Sequence, residues 1–121
     1  MPPPIERFHV GPRLSEMAVH NGVAYLAGQV AEDTTQDITG QTRQVLGMID
    51  KLLDEARSDK SRLLNVQIFL KDINDITAMN TVWDEWIGTG AGIRNAPPRA
   101  TVQALLADPG YKIEIVVQAA C

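Results

Sequence analysis

The chain has 121 residues, 15 of them acidic and 11 basic, a net charge of −4, and one cysteine, at its last position. That is the length of one domain, with no basic block to neutralise phosphates and no second cysteine for an internal disulfide. No stretch reaches membrane-spanning length, and Met1-Pro2-Pro3-Pro4-Ile5-Glu6-Arg7 has neither the basic start nor the apolar run of a secretory leader; a cytoplasmic protein without nucleic-acid or membrane partners is expected.

Met17-Ala18-Val19-His20 and Val23-Ala24-Tyr25-Leu26-Ala27 flank Asn21-Gly22, a pair that tolerates positive φ at both turn positions and so predicts a tight β-hairpin. After a Gly28-Gln29-Val30 exit, Thr34 reads as a helix cap with Asp37 in the first turn. Ile38, Thr42, Val45, Ile49, Leu52, Leu53 and Ala56 then recur at helical spacing and predict an amphipathic helix over about residues 36–57. From Leu64 to Lys71 the chain alternates, with Val66, Ile68 and Leu70 on one face and Asn65, Gln67, Phe69 and Lys71 on the other, as a half-buried strand does. Asp72 to Asp75 form a turn. A second helix carries Ile76, Met79, Val82, Trp83, Trp86 and Ile87, and Gly88, Gly90 and Gly92 break it into a loop. Strands are expected over about 99–106 and 111–119, joined as a hairpin by Ala107-Asp108-Pro109-Gly110.

The predicted order, β-hairpin, helix, strand, helix, β-hairpin, is an α+β fold with a five- to six-stranded sheet and both helices on one face. Two helices cannot cover both faces. The second carries Phe69, Thr101 and Gln103, so an oligomer whose sheets face one another is expected.

Metal chemistry finds little support: His9 and His20 have no partners at ligand spacing, and both read as surface residues. Cys121 has no base nearby in sequence, which makes it a weak nucleophile. Arg99 and Glu114 stand out instead, because each sits among apolar strand residues, where a charge is costly to bury unless it is paired or binds something. With 107–110 as the loop, Gln103 lies across from Glu114, which puts Glu114 on one face with Thr101 and Arg99. Arg99 is then two side-chain steps away at ~3.3 Å per residue, a spacing that suits two groups flanking a small molecule; a slip of one residue undoes it. Arg99 offers a planar fork of donors for a carboxylate. Glu114 can accept a proton or hold a water, and Thr101 and Asn80 can add neutral hydrogen bonds. Plainer readings stand beside these: Arg99 and Glu114 as a structural or intersubunit ion pair, Asn80 as a helix-to-loop hydrogen bond, and Trp83 and Trp86 as core.

At these residues the chain resembles the RidA/YjgF (Rid) family, and most closely its YoaB-like branch. The likeness runs through Gly28-Gln29, Phe69-Leu70-Lys71-Asp72-Ile73-Asn74-Asp75, Met79-Asn80, Pro98-Arg99-Ala100-Thr101-Val102-Gln103 and Tyr111-Lys112-Ile113-Glu114-Ile115. It implies a chorismate-mutase-like α+β fold assembled as a homotrimer, with pockets between subunits. It also implies hydrolysis of reactive enamines and imines, of the 2-aminoacrylate type released by pyridoxal-phosphate enzymes, to keto acids and ammonia. By that resemblance Arg99 holds the substrate carboxylate, Glu114 positions the attacking water, and Asn80 stands in the pocket wall. No cofactor or metal is implied, and the partner is a small imino or keto acid. Three positions depart from the family pattern. Thr101 stands where many members have cysteine. Ala27, before Gly28 in the pocket, replaces a common serine. Gly11-Pro12-Arg13-Leu14 lacks the family's tyrosine. Rival readings are a keto-acid sensor of the same fold, a ribonuclease, which the acidic balance disfavours, and a purely structural subunit.

Overall fold

Asn21 at φ 51° and Gly22 at φ 78° place both central turn residues in the left-handed region, as a two-residue hairpin requires. In the computed structural model, which describes residues 2–88 and 95–121, this turn joins β2 (Ser15–His20) to β3 (Val23–Leu26), with Met17 opposite Leu26 and His20 opposite Val23. The sequence reading missed β1 (Glu6–Val10), which pairs with β2, and the two-residue β4 (Gln29–Val30), which pairs with the last strand, β7 (Ile113–Ala120). With β5 (Leu63–Leu70) and β6 (Arg99–Gln103) these additions bring the sheet to seven strands, in the order β1-β2-β3-β7-β5-β6 with β4 off the path.

The first helix, α1, spans Ile38–Glu55. Its cap is Asp37 rather than Thr34: the Asp37 carboxylate accepts the Gly40 N–H at 2.9 Å. Thr34 stays exposed in the loop before it. The strand expected from Leu64 is β5 (Leu63–Leu70), and α2 spans Ile76–Gly88. The expected loop with Gly90 and Gly92 lies outside the described residues.

The last two strands, β6 (Arg99–Gln103) and β7 (Ile113–Ala120), do not form the expected hairpin. β5 lies between them, parallel to β6 through Val66–Arg99, Ile68–Thr101 and Leu70–Gln103, and antiparallel to β7 through Ile68–Ile115 and Phe69–Glu114. The physical reason is that β5, α2 and β6 form a strand–helix–strand crossover, which delivers β6 parallel to β5. The turn chemistry at Asp108 is real, since its side chain accepts the Gly110 N–H at 2.7 Å, but it bends a longer connection between strands that do not pair.

Both helices cover one face of the sheet. Val66, Ile68 and Leu70 of β5 and Ile113, Ile115 and Val117 of β7 are buried with Val45, Ile49 and Leu53 of α1 and Met79, Val82 and Trp83 of α2. Each such large apolar side chain contributes roughly 1.5–3 kcal/mol through burial. Among the described residues no helix covers the opposite face, and there Tyr25 is 45% and Val102 47% exposed. At the end of α1 the exposed His9 donates to both Glu55 oxygens at 3.0 and 2.8 Å, tying β1 to the helix.

Gln41, fully buried on α1, locks the entry to β7. Its Nε2 donates to Gln36 O and Gly110 O at 3.1 Å, and its Oε1 accepts the Lys112 N–H at 2.9 Å. Gln41→Leu keeps the bulk and strands these backbone groups. It is expected to lower unfolding free energy by about 2–4 kcal/mol in a urea titration, with the slope unchanged.

Candidate functional site

Register decides which of the candidate residues can meet. Residues paired across neighbouring strands point to the same face, so Arg99 and Thr101 share the helix-covered face with Val66 and Ile68. Glu114 pairs with Phe69, one parity step away, and so faces the open side. The expectation that Arg99, Thr101 and Glu114 share one face is therefore corrected, and so is the placing of Gln103 opposite Glu114. Within one chain the two charged residues lie on opposite sides of the sheet. The plainer reading, an Arg99–Glu114 ion pair, is absent within the chain for the same reason, and among the described residues the salt bridge formed is His9–Glu55.

The arginine side is built by β6 and α2. Arg99 Nη2 donates to Asn80 Oδ1 at 2.8 Å, and its guanidinium lies over the Trp83 ring, 5.1 Å from the centroid. Burial pulls the Arg99 pKa below its usual value, while the charge of Asp84 pulls it back up; an arginine so placed stays cationic. Both contacting groups are neutral, so among the described residues no carboxylate hydrogen-bonds the cation, and Asp84 acts on it only through its charge. Two residues along β6, the Thr101 hydroxyl is buried with no hydrogen-bond partner among the described residues. Leaving such a group unsatisfied costs about 1–3 kcal/mol, which a ligand atom could recover.

The carboxylate side is built by β7 and the turn into β4. A Cβ placed on Gly28 would stand 2.3 Å from Glu114 Oε2 and 2.8 Å from its carboxyl carbon, so the absence of a side chain at Gly28 makes room for this carboxylate. The turn is fixed from beneath by Gln29, only 3% exposed, whose Nε2 donates to Ala27 O at 3.0 Å and to Glu16 Oε2 at 2.9 Å. Ala27 is half-buried beside it and offers no hydroxyl. Gly28→Ala is expected to push the Glu114 carboxylate aside, lowering the activity proposed below at least tenfold. The melting temperature should stay within a few degrees, because a side-chain end gives way more easily than backbone.

The candidates thus fall into two groups: Arg99, Asn80 and Thr101 on one face, and Ala27, Gly28 and Glu114 on the other. The sequence reading missed Trp83, taken there as core alone. Its signal was the spacing Asn80 to Trp83, three residues apart on one helix, which puts both on the face that meets β6. Among the described residues no group of histidine, cysteine and acidic side chains could hold a metal ion, and no helix is long and apolar enough to cross a membrane.

The family profile described as endoribonuclease L-PSP matches residues 5–121. A RutC family protein of Haemophilus ducreyi is 48% identical over 116 residues, covering 96% of this chain and 96% of its own. The RutC family protein YoaB of Escherichia coli is 42% identical over 116 residues, covering 96% of this chain and 97% of its own. A solved YjgF-family structure from Neisseria meningitidis is 39% identical with a TM-score of 0.89, covering 97% of this chain and 94% of that one. These neighbours share the α+β fold described above.

Proposed function

The chain belongs to the RidA/YjgF family, whose profile is described as endoribonuclease L-PSP, and on that premise we propose that it hydrolyses small 2-imino acids to 2-keto acids and ammonia. The observation that carries this reading is Arg99: a partly buried cation held by a neutral amide and an aromatic ring, beside an unsatisfied hydroxyl at Thr101. A guanidinium fork so presented matches a carboxylate, and the hydroxyl can meet a second polar atom of the same small molecule.

The reaction asks little of the protein beyond placement. The imine carbon is electrophilic, so water adds to it to give a carbinolamine, which expels ammonia and leaves the keto acid. One water is consumed for each ammonia released. Glu114 takes the proton from the attacking water and returns it to the departing nitrogen, while Arg99 fixes the carboxylate and with it the distance to the water. Arg99 and Glu114 of one chain face away from each other, so the reaction needs them from different copies. The uncovered sheet face, with Tyr25 and Val102 about half exposed, supports an oligomer; in the homotrimer proposed here the edge strand β6 carries the arginine group of one copy to the Gly28–Glu114 group of the next.

The experiment is ammonia and keto-acid release from imines generated in place by an amino-acid oxidase, compared with their spontaneous hydrolysis. Acceleration by wild type supports the deaminase and ranks its substrates. Binding of keto acids with no acceleration on any imine favours the sensor reading. The same preparation incubated with RNA addresses the ribonuclease label, and with a net charge of −4 no cleavage is expected.

A further inference from the structure

Trp83 is 5% exposed and packs in the core, yet its ring also carries the Arg99 guanidinium. Asn80, three residues earlier on α2, holds the same guanidinium by Nη2. The two contacts constrain different motions. A ring face beneath a planar cation sets the plane of the fork. An acceptor on Nη2 sets its rotation within that plane. A guanidinium has two two-pronged edges, one made by Nη1 and Nη2 and the other by Nη2 and Nε, and each uses a different Nη2 hydrogen. Among the described residues Asn80 is the acceptor at Nη2, which occupies one edge and leaves the other whole.

We infer that Trp83 and Asn80 are positioning residues for Arg99, which together leave one two-pronged edge free and so match the site to a single carboxylate. Trp83 acts through its ring face rather than through bulk alone, and Asn80 acts through Arg99 rather than on the substrate. The identity of the carboxylate ligand rests on the imino-acid reading above; the geometry belongs to the free protein. A lysine at position 99 has no planar fork for either residue to orient.

The test is a double-mutant cycle read by calorimetric titration of the assembled protein with 2-oxobutanoate, with imine turnover measured in parallel. Trp83→Leu is expected to weaken binding about five- to thirtyfold, chiefly as a rise in KM in the turnover assay, and Trp83→Tyr to restore it to within about threefold. In an Arg99→Lys background, Trp83→Leu should weaken binding no further. Equal losses in both backgrounds, or a leucine variant that binds like wild type, overturn the proposal. If Trp83→Leu does not fold, fluorinated tryptophans in a Trp86→Phe background drain the ring's negative face at almost constant size. Affinity should then fall stepwise with fluorination, and a flat series overturns the proposal.

A ligand-free readout separates this inference from the proposed activity. The Arg99 Nε–H resonance, assigned by its loss in Arg99→Lys, should be shifted upfield by the Trp83 ring and remain so in Trp83→Tyr. An unshifted resonance in wild type overturns the positioning role whether or not any imine is hydrolysed. A shifted resonance in a protein that binds no keto acid and turns over no imine leaves the positioning intact and removes the deaminase reading.

Discussion

Arg99→Ala is expected to lower kcat/KM for 2-imino acids by about 10³-fold while the protein stays folded and assembled. The magnitude follows from losing a two-pronged, charge-assisted contact, each hydrogen bond of which is worth about 1.5–3 kcal/mol. Little stability should go with it. The guanidinium is held by a neutral amide and a ring, and its burial works against its charge. Among the described residues no carboxylate is hydrogen-bonded to it, so removing it costs only the longer-range attraction of Asp84, and the melting temperature should move by only a few degrees. Light scattering and thermal unfolding beside the turnover assay decide the matter. Loss of assembly together with loss of activity would point to the structural-subunit reading. Unchanged turnover would remove Arg99 from the site altogether.

The elements that local chemistry determines were legible in the sequence. Asn21-Gly22 required a tight hairpin, the apolar spacing from Ile38 to Ala56 fixed α1, and the alternation of Val66, Ile68 and Leu70 fixed both β5 and its buried face. Pairing between distant strands was not legible, because it is settled by which strand finds the central position. Turn residues at 107–110 argued for a hairpin. The strand–helix–strand segment from β5 to β6 argued for a parallel crossover, and the crossover prevailed. That one substitution of neighbours moves Glu114 to the opposite face from Arg99 and splits the site. On the arginine side Asn80, Arg99 and Thr101 could be singled out, but Trp83 reads as core alone, and Thr101 and Gln103, expected on the uncovered face, pair with Ile68 and Leu70 and so lie on the helix-covered one. The carboxylate side was legible only in part: Gly28 could be singled out, but that its missing side chain makes room for Glu114 depends on the pairing of β4 with β7.

The split carries the second large effect. Glu114→Gln keeps the shape of the carboxylate and removes its basicity, so kcat is expected to fall by about 10²–10⁴-fold. Arg99→Ala is comparably weak, but in the trimer proposed above the two defects would lie on surfaces that face different neighbours. When the two variants exchange subunits in equal amounts, about three quarters of cyclic trimers contain both chains. Each mixed trimer has one interface at which an intact Arg99 from the Glu114→Gln copy meets an intact Glu114 from the Arg99→Ala copy. One site in three, in about three quarters of the trimers, returns about a quarter of wild-type activity. A site confined to one chain cannot be rescued in this way, since every chain in the mixture carries a defect. Turnover that stays at the level of the separate variants, with subunit exchange verified by two affinity tags, would therefore rule out the shared site. It would require Arg99 and Glu114 to act without meeting, and Glu114 would lose its place in the reaction. Recovery of about a quarter would place the chemistry at the seam between copies, where the opposed faces of a single sheet become the two walls of one pocket.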